Sequence, residues 1–186
     1  PGEEVMAAMS DVPPIRIRRA RAAEAPALAG LMDAPAAAGL ILPRTPAELA
    51  ASIAAFLVAE ADGRAVGCVA LRDYGAGLCE VRSLVVCPEC MGRGLGSRLV
   101  AAAVSRARRQ HAHSVFALTY HPRLFERLGF QTVAKEQFPQ KVWADCRKCR
   151  KRHHCDEIAV FLDLTAPARR RPARRTTRQS PGPAKP

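Results

Sequence analysis

Ile15 to Arg19 alternate apolar and charged residues, the pattern of a half-buried strand. The period then changes. Ala25, Leu28, Ala29 and Met32 recur at helical spacing and predict a helix over Ala22 to Met32. Ala34 to Pro46 holds three prolines and a glycine and reads mostly as loop. Thr45 is a capping residue, Pro46 fits the first helical position and Glu48 follows the Thr by three, so a short helix is expected to about Ile53. Phe56 to Glu60 and Ala65 to Arg72 flank Asp62-Gly63, a hairpin signal. Leu78 to Val86 is a long strand candidate. Gly94 to Gln110 predicts a helix with Leu95, Leu99, Ala102 and Ala103 on one face, and Arg98, Arg106 and Arg109 on or near the other. Ser114 to Thr119 reads as a buried strand. Pro122 to Leu128 reads as a short helix ended by Gly129. Phe130 to Ala134 and Glu157 to Leu164 are the last strands. This order gives a mixed α/β, α+β-like class, with one strand–turn–helix unit at its centre and no visible repeat.

The formal net charge of +12 changes this picture less than it suggests. The chain after Leu164 holds seven Lys or Arg and no acid, which leaves +5 on the rest. That Pro- and Arg-rich segment, residues 165–186, predicts a disordered basic tail, because it has too little apolar surface to offset its ordering entropy. It is either a tether for nucleic acid or an acidic surface, or a plain solvated extension. Residues 1–14 read as a flexible leader and 15–164 as a single domain. No apolar run reaches the length of a bilayer span, and the start lacks a basic region followed by an apolar core. A cytoplasmic protein without membrane contact is therefore expected. Seven cysteines, an odd number without a secretion signal, argue for reduced thiols or a metal site over a disulfide framework.

The chemistry concentrates where the Leu84-Val85-Val86 run meets Met91-Gly92-Arg93-Gly94-Leu95-Gly96-Ser97. Alternate glycines leave the backbone bare where a helix begins. The free N–H groups of the first turn and the helix dipole then favour an anion. The segment reads as a pyrophosphate cradle. A P-loop requires Lys-Ser/Thr after its last glycine, whereas Ser97-Arg98 follows here. A dinucleotide fingerprint requires G-x-G-x-x-G early in a βαβ unit, whereas this spacing is G-x-G-x-G after antiparallel strands.

The third reading is a resemblance. Gly94 and Gly96, after Val85-Val86-Cys87-Pro88, resemble the acetyl-CoA loop of the GNAT superfamily of N-acetyltransferases, with Met91 where that loop carries Gln or Arg. Leu124 to Phe130 resembles the family's F-Y-E-x-L-G-F helix and turn, with Phe125 in place of the tyrosine that often protonates the departing thiolate. The likeness extends to Gly39-Leu40-Ile41-Leu42-Pro43-Arg44, to Glu80-Val81-Arg82-Ser83-Leu84, and to Pro139-Gln140-Lys141-Val142-Trp143-Ala144-Asp145-Cys146 with Cys149 and Cys155-Asp156-Glu157. Together these resemble the short, GNAT-only bacterial N-acetylglutamate synthases, over roughly Ile15 to Leu164. Arg150 to His154 departs from the family's Pro-rich insert.

The resemblance implies a GNAT fold with a central, mostly antiparallel sheet and acetyl-CoA as co-substrate. It further implies direct acetyl transfer to the α-amine of L-glutamate, the first step of arginine biosynthesis. Another amine is the rival acceptor. A non-catalytic acetyl-CoA or nucleic-acid binding module is the rival from another class. The implied cofactor contacts are Leu84, Val85, Val86 and Met91 through Ser97. The amine must be neutral to attack the thioester, so a base has to take its proton. Glu80 is the candidate, against the plainer reading of an ion-paired strand residue. Carboxylates call for cations. Arg82, two residues from Glu80 and so on its sheet face, leads, followed by Arg44 and Lys141. Tyr120 is a candidate replacement acid, or else a boundary aromatic with its hydroxyl in water.

Cys146, Cys149 and Cys155 have metal-like spacing, which His153 or His154 would complete as a structural zinc set. The alternative is that Cys146 and Cys155 pack as small apolar residues. Cys68 and Cys79 alternate within strands and read as core.

Overall fold

The computed structural model describes residues 14–139, 145–149, 151 and 153–165. Lys141, the leader through residue 13 and the tail from residue 166 lie outside the described residues. The chain forms β1 (Arg16–Arg19), α1 (Ala25–Ala37), α2 (Pro46–Ala51), β2 (Phe56–Ala61), β3 (Arg64–Asp73), β4 (Leu78–Val86), α3 (Leu95–Arg109), β5 (Ser114–Thr119), α4 (Pro122–Glu126), β6 (Gln131–Val133) and β7 (Ile158–Asp163). The seven strands make one sheet in the order β1-β2-β3-β4-β5-β7-β6. Every pairing is antiparallel except β4 with β5.

Period-two alternation sorts the strand side chains into two cores. Phe56, Val58, Cys68 and Ala70 pack with Leu28, Met32 and Leu49 of α1 and α2. Leu57, Ala59, Val69 and Leu71 pack with Leu95, Leu99, Val100 and Ala103 of α3. Each large apolar side chain buried this way stabilises the fold by about 1.5–3 kcal/mol. Cys68 and Cys79 are both buried, as their alternation predicts.

The sheet changes phase once. Cys79 and Val81 of β4 belong to the α3 core, whereas Val85 belongs to the α1 core. The cause is a bulge. Cys68 pairs with Val85 and Ala70 with Arg82, so Val69 opposes both Ser83 and Leu84. Ser83 takes φ +50, in the left-handed region that side chains disfavour. One extra residue thus turns the end of β4 over, immediately before the glycine segment.

Two elements depart from the sequence pattern. Helix α1 runs through Pro35 to Ala37, beyond the Met32 end that periodicity predicts. The ring removes one N–H donor, yet Ala38 and Leu40 close the turn onto the carbonyls of Ala34 and Pro35 at 3.0 and 2.9 Å. Arg106, predicted near the polar face of α3, is buried. Its Nη2 donates to the carbonyl of Ala54, at the entry to β2, at 2.7 Å.

Candidate active site

Strands β4 and β5 pair only from Leu78 to Glu80 and from Ser114 to Phe116. Beyond that point β4 continues on β3, and β5 on β7. The two parallel strands part, and a cleft of about 240 Å³ opens between them. Glu80 to Val86 line one wall. Leu118 to His121 line the other, with Asp145, Cys146, Cys149, Glu157 and the Leu40–Leu42 loop around them. Met91 lies at the cleft's glycine-loop end.

Glu80 sits where the strands part and is 1 % exposed. Tyr74, carried back by the turn between β3 and β4, donates its hydroxyl to Glu80 Oε2 at 3.0 Å. Burial, then the Glu80 charge, pushes the Tyr74 phenol well above its ordinary pKa, so it remains a donor at neutral pH. Arg82 shares the face, with Nη1 3.8 Å from Glu80 Oε2. The same nitrogen lies 2.6 Å from Asp145 Oδ2, and Arg72 reaches that oxygen at 3.2 Å. Burial alone lowers the Arg82 pKa, but Glu80 and Asp145 more than offset it and hold the guanidinium charged.

Arg44 lies outside the cleft lining but inside this electrostatic neighbourhood. Burial lowers its pKa first, and the Arg82 charge lowers it further. The Nε atoms of Arg44 and Arg82 are buried with no hydrogen-bond partner among the described residues. Buried N–H donors of a cation without an acceptor are costly, and an arriving carboxylate supplies one.

The glycine segment is built from backbone. Cys87 N–H bonds to the Val66 carbonyl at 2.9 Å and fixes the exit of β4 to β3. A 3-10 turn over Pro88–Cys90 follows. Gly92 and Gly94 then take φ +74 and +75. Gly94 caps α3 without a side chain, which leaves the first-turn N–H groups of Leu95, Gly96 and Ser97 free for an anion. Gly92, Arg93 and Gly94 are exposed, while the Leu95 side chain is buried in the core, so Leu95 offers only its backbone. A Cβ on Gly96 would lie 3.2 Å from Leu124 Cδ1, which accounts for glycine where α3 meets α4.

Phe125 is buried, edge-on to Phe130 at 5.2 Å, and lines the cleft without a hydroxyl. Tyr120 also lines the cleft. Its hydroxyl donates to Asp156 Oδ1 at 2.8 Å and accepts from Lys151 Nζ at 3.0 Å, so its proton is committed to Asp156.

The zinc reading of Cys146, Cys149 and Cys155 is not met by the structure. Among the described residues no group of three or more His, Cys, Asp or Glu is placed to hold a metal. Cys146 and Cys149 line the cleft across one 3-10 turn, whereas Cys155 lies 3.9 Å from Glu157 Oε2. Arg72, Tyr74 and Asp145 complete the polar cluster and escaped the sequence reading. Only Asp145 carried a signal, as a member of the segment leading into Cys146.

The profile of the acetyltransferase (GNAT) domain matches residues 52–132. A Chlorobaculum tepidum protein described as an uncharacterized N-acetyltransferase is 38% identical over 148 residues, covering 80% of this chain and 96% of that one. An amino-acid acetyltransferase of Mycobacterium tuberculosis is 32% identical over 152 residues, covering 80% and 84%. Among solved structures, N-acetylglutamate synthase of Neisseria gonorrhoeae, complexed with coenzyme A and N-acetyl-glutamate, superposes with a TM-score of 0.72 at 28% identity. The match covers 81% of this chain and 35% of that protein, so the chain spans about a third of its length.

Proposed function

The chain belongs to the GNAT family of acetyltransferases, and from that premise we propose that it moves acetyl from acetyl-CoA to the α-amine of an amino acid, L-glutamate first among them. The observation that carries this reading is the pairing of a fully buried carboxylate, Glu80, with the guanidinium of Arg82 in a cleft that ends at a bare helix N-terminus. The free N–H groups at Leu95 to Ser97 suit a pyrophosphate, and Leu84 to Val86 line the wall along which the acyl arm would lie.

Glu80 takes the proton of the acceptor ammonium, directly or through water, and the neutral amine attacks the thioester carbonyl. Acetyl passes to nitrogen and the thiolate leaves. The transfer is direct, with no acyl-enzyme. Tyr74 donates to Glu80 Oε2 and so fixes the carboxylate's orientation. Water protonates the thiolate, since Phe125 carries no proton and the Tyr120 hydroxyl donates its hydrogen bond to Asp156. Arg82, on the cleft wall, receives an acceptor carboxylate, and Arg44 behind it adds positive charge. The Arg82 guanidinium on the cleft wall, with its Nε–H unpartnered among the described residues, favours a carboxylate-bearing amine over a simple alkylamine.

The test is thiol release from acetyl-CoA against a panel of amino acids and polyamines. Glutamate should stand clearly above buffer and above neutral amino acids. Turnover confined to another amine rejects glutamate. No turnover with any amine rejects the enzyme reading.

A further inference from the structure

Cys87-Pro88-Glu89-Cys90 is a Cys-x-x-Cys between a strand and a helix that none of the chemistry above uses. Both cysteines are half-buried, within reach of small reagents, whereas Cys68 and Cys79 are sealed in the core. The backbone folds the pair together: Cys90 N–H bonds to the Cys87 carbonyl at 3.0 Å, and Met91 N–H to the Pro88 carbonyl at 3.1 Å. A turn of this kind brings its end Cα atoms within about 7 Å, the range over which a disulfide spans. Cys90 and Glu89 are the groups that bear on the Cys87 thiol. One residue beyond Cys90 the glycine segment begins.

We propose that Cys87 and Cys90 are a reversible dithiol–disulfide pair that sets the shape of the glycine segment and weakens CoA binding when oxidised. The oxidant is a hydroperoxide. One cysteine sulfur attacks the peroxide oxygen, giving a sulfenic acid and releasing water or an alcohol. The second thiol displaces water from that sulfur, so two thiols and one peroxide give one disulfide, one water and one further water or alcohol. Burial first, then the contacts with Cys90 and Glu89, pushes the Cys87 thiol up to about 11. Cys87 therefore keeps its proton at neutral pH.

The consequence for CoA follows from position. Cys87 is pinned to β3 through the Val66 carbonyl, so it is Cys90 that must move when the two thiols join in a covalent bond of about 2.05 Å. Cys90 packs on the α3-side core and directly precedes Met91 and the left-handed glycines that aim the first-turn N–H groups. Drawing it toward Cys87 rotates that aim. This consequence rests on the acetyl-CoA reading above; the disulfide itself does not.

Full-length protein, reduced and then treated with hydrogen peroxide, is alkylated and digested with trypsin, and its CoA affinity is measured by calorimetry. Both cysteines fall in one tryptic peptide, Ser83 to Arg93. The linked form is two hydrogens lighter than the dithiol and carries no alkyl group. The expected result is this linked peptide, a CoA Kd raised about threefold or more, and recovery of both with dithiothreitol. Cys87→Ser should abolish the link and the peroxide-induced change, while the Cys146→Ser/Cys149→Ser double variant should retain both. Free alkylation of Cys87 and Cys90 after peroxide overturns the inference, as does a link that leaves CoA affinity unchanged. Reduced protein that binds no CoA overturns the function proposed above together with the CoA half of this inference. An absent link with normal CoA binding overturns this inference alone.

Discussion

The two ends of the cleft are held by different forces. At the glycine end, β4 is hydrogen-bonded along β3, its bulge is fixed by register, and α3 starts from a cap that has no side chain. At the acceptor end, the Asp145–Cys149 segment is tied to the sheet by one carboxylate shared between Arg82 and Arg72, and Lys151 joins Tyr120 to Asp156. One end is backbone geometry, and the other is side-chain charge. In the function proposed above, each substrate then draws its affinity from a different kind of contact. Acetyl-CoA binding should resist side-chain truncation and fail on backbone displacement. Acceptor binding should do the reverse.

The largest effect is expected where the two ends meet. Glu80→Gln keeps the volume and an acceptor for the Tyr74 hydroxyl but removes the base. It should lower kcat by roughly 10²–10⁴-fold and leave the KM for acetyl-CoA unchanged. Steady-state kinetics with thermal melting to verify folding decides it; a kcat within a few-fold of wild type places the base elsewhere. Arg82→Ala comes next. A charge-assisted hydrogen bond of about 1.5–3 kcal/mol converts to roughly 10- to 100-fold in acceptor KM. The acetyl-CoA constant should move far less, and equal changes in the two constants break the division between the ends.

Backbone displacement sharpens the other half. A Cβ on Gly67 would stand 2.9 Å from the Val85 carbonyl oxygen and 3.2 Å from Leu99 Cδ1. The first contact is backbone and cannot swing aside. Gly67→Ala should therefore push the end of β4, cost about 1–3 kcal/mol of stability, and raise the acetyl-CoA KM more than the acceptor KM. Met91→Ala removes a side chain that is 59% exposed. It should change the acetyl-CoA KM by less than about threefold, because in the function proposed above the loop holds the pyrophosphate through N–H groups that any residue supplies. A larger loss for Met91→Ala than for Gly67→Ala reverses the comparison.

The same division governs what could be read from sequence. Period two placed β1, the Asp62-Gly63 hairpin signal placed β2 and β3, and the capping pattern Thr45-Pro46-x-Glu48 placed α2, because those signals act over a few residues. The positive-φ glycines before α3 were legible for the same reason. So was the Glu80–Arg82 pair, which needs only alternation on one strand. The bulge at Ser83 was not, since it is a property of two strands in register. Nor was the triad of Arg72, Arg82 and Asp145, whose members lie up to 73 positions apart and meet only after the chain crosses the sheet. Spacing alone suggested three thiol ligands, yet Cys155 follows Cys149 into an irregular segment whose course no local rule fixes. Arg106 misled for a related reason: the carbonyl that draws it inward belongs to Ala54, outside its own helix.

The smallest effect belongs to Tyr120, whose hydroxyl sits at the cleft yet is already engaged. It donates a hydrogen bond to Asp156 and accepts one from Lys151. Burial raises the phenol's pKa; the Lys151 contact opposes that and Asp156 supports it. A raised phenol pKa keeps the proton bound throughout neutral pH, so Tyr120 contributes no titration step there. A catalytic acid protonating the thiolate is worth about 10²–10⁴-fold, whereas an exposed hydrogen bond between side chains is worth under about 1 kcal/mol. Tyr120→Phe should therefore change kcat by no more than about twofold and leave the limbs of the pH–rate profile in place. A loss of about 100-fold with a flattened alkaline limb would instead identify Tyr120 as the acid that Phe125 cannot be. It would also show that the hydroxyl turns from Asp156 toward the leaving sulfur during turnover.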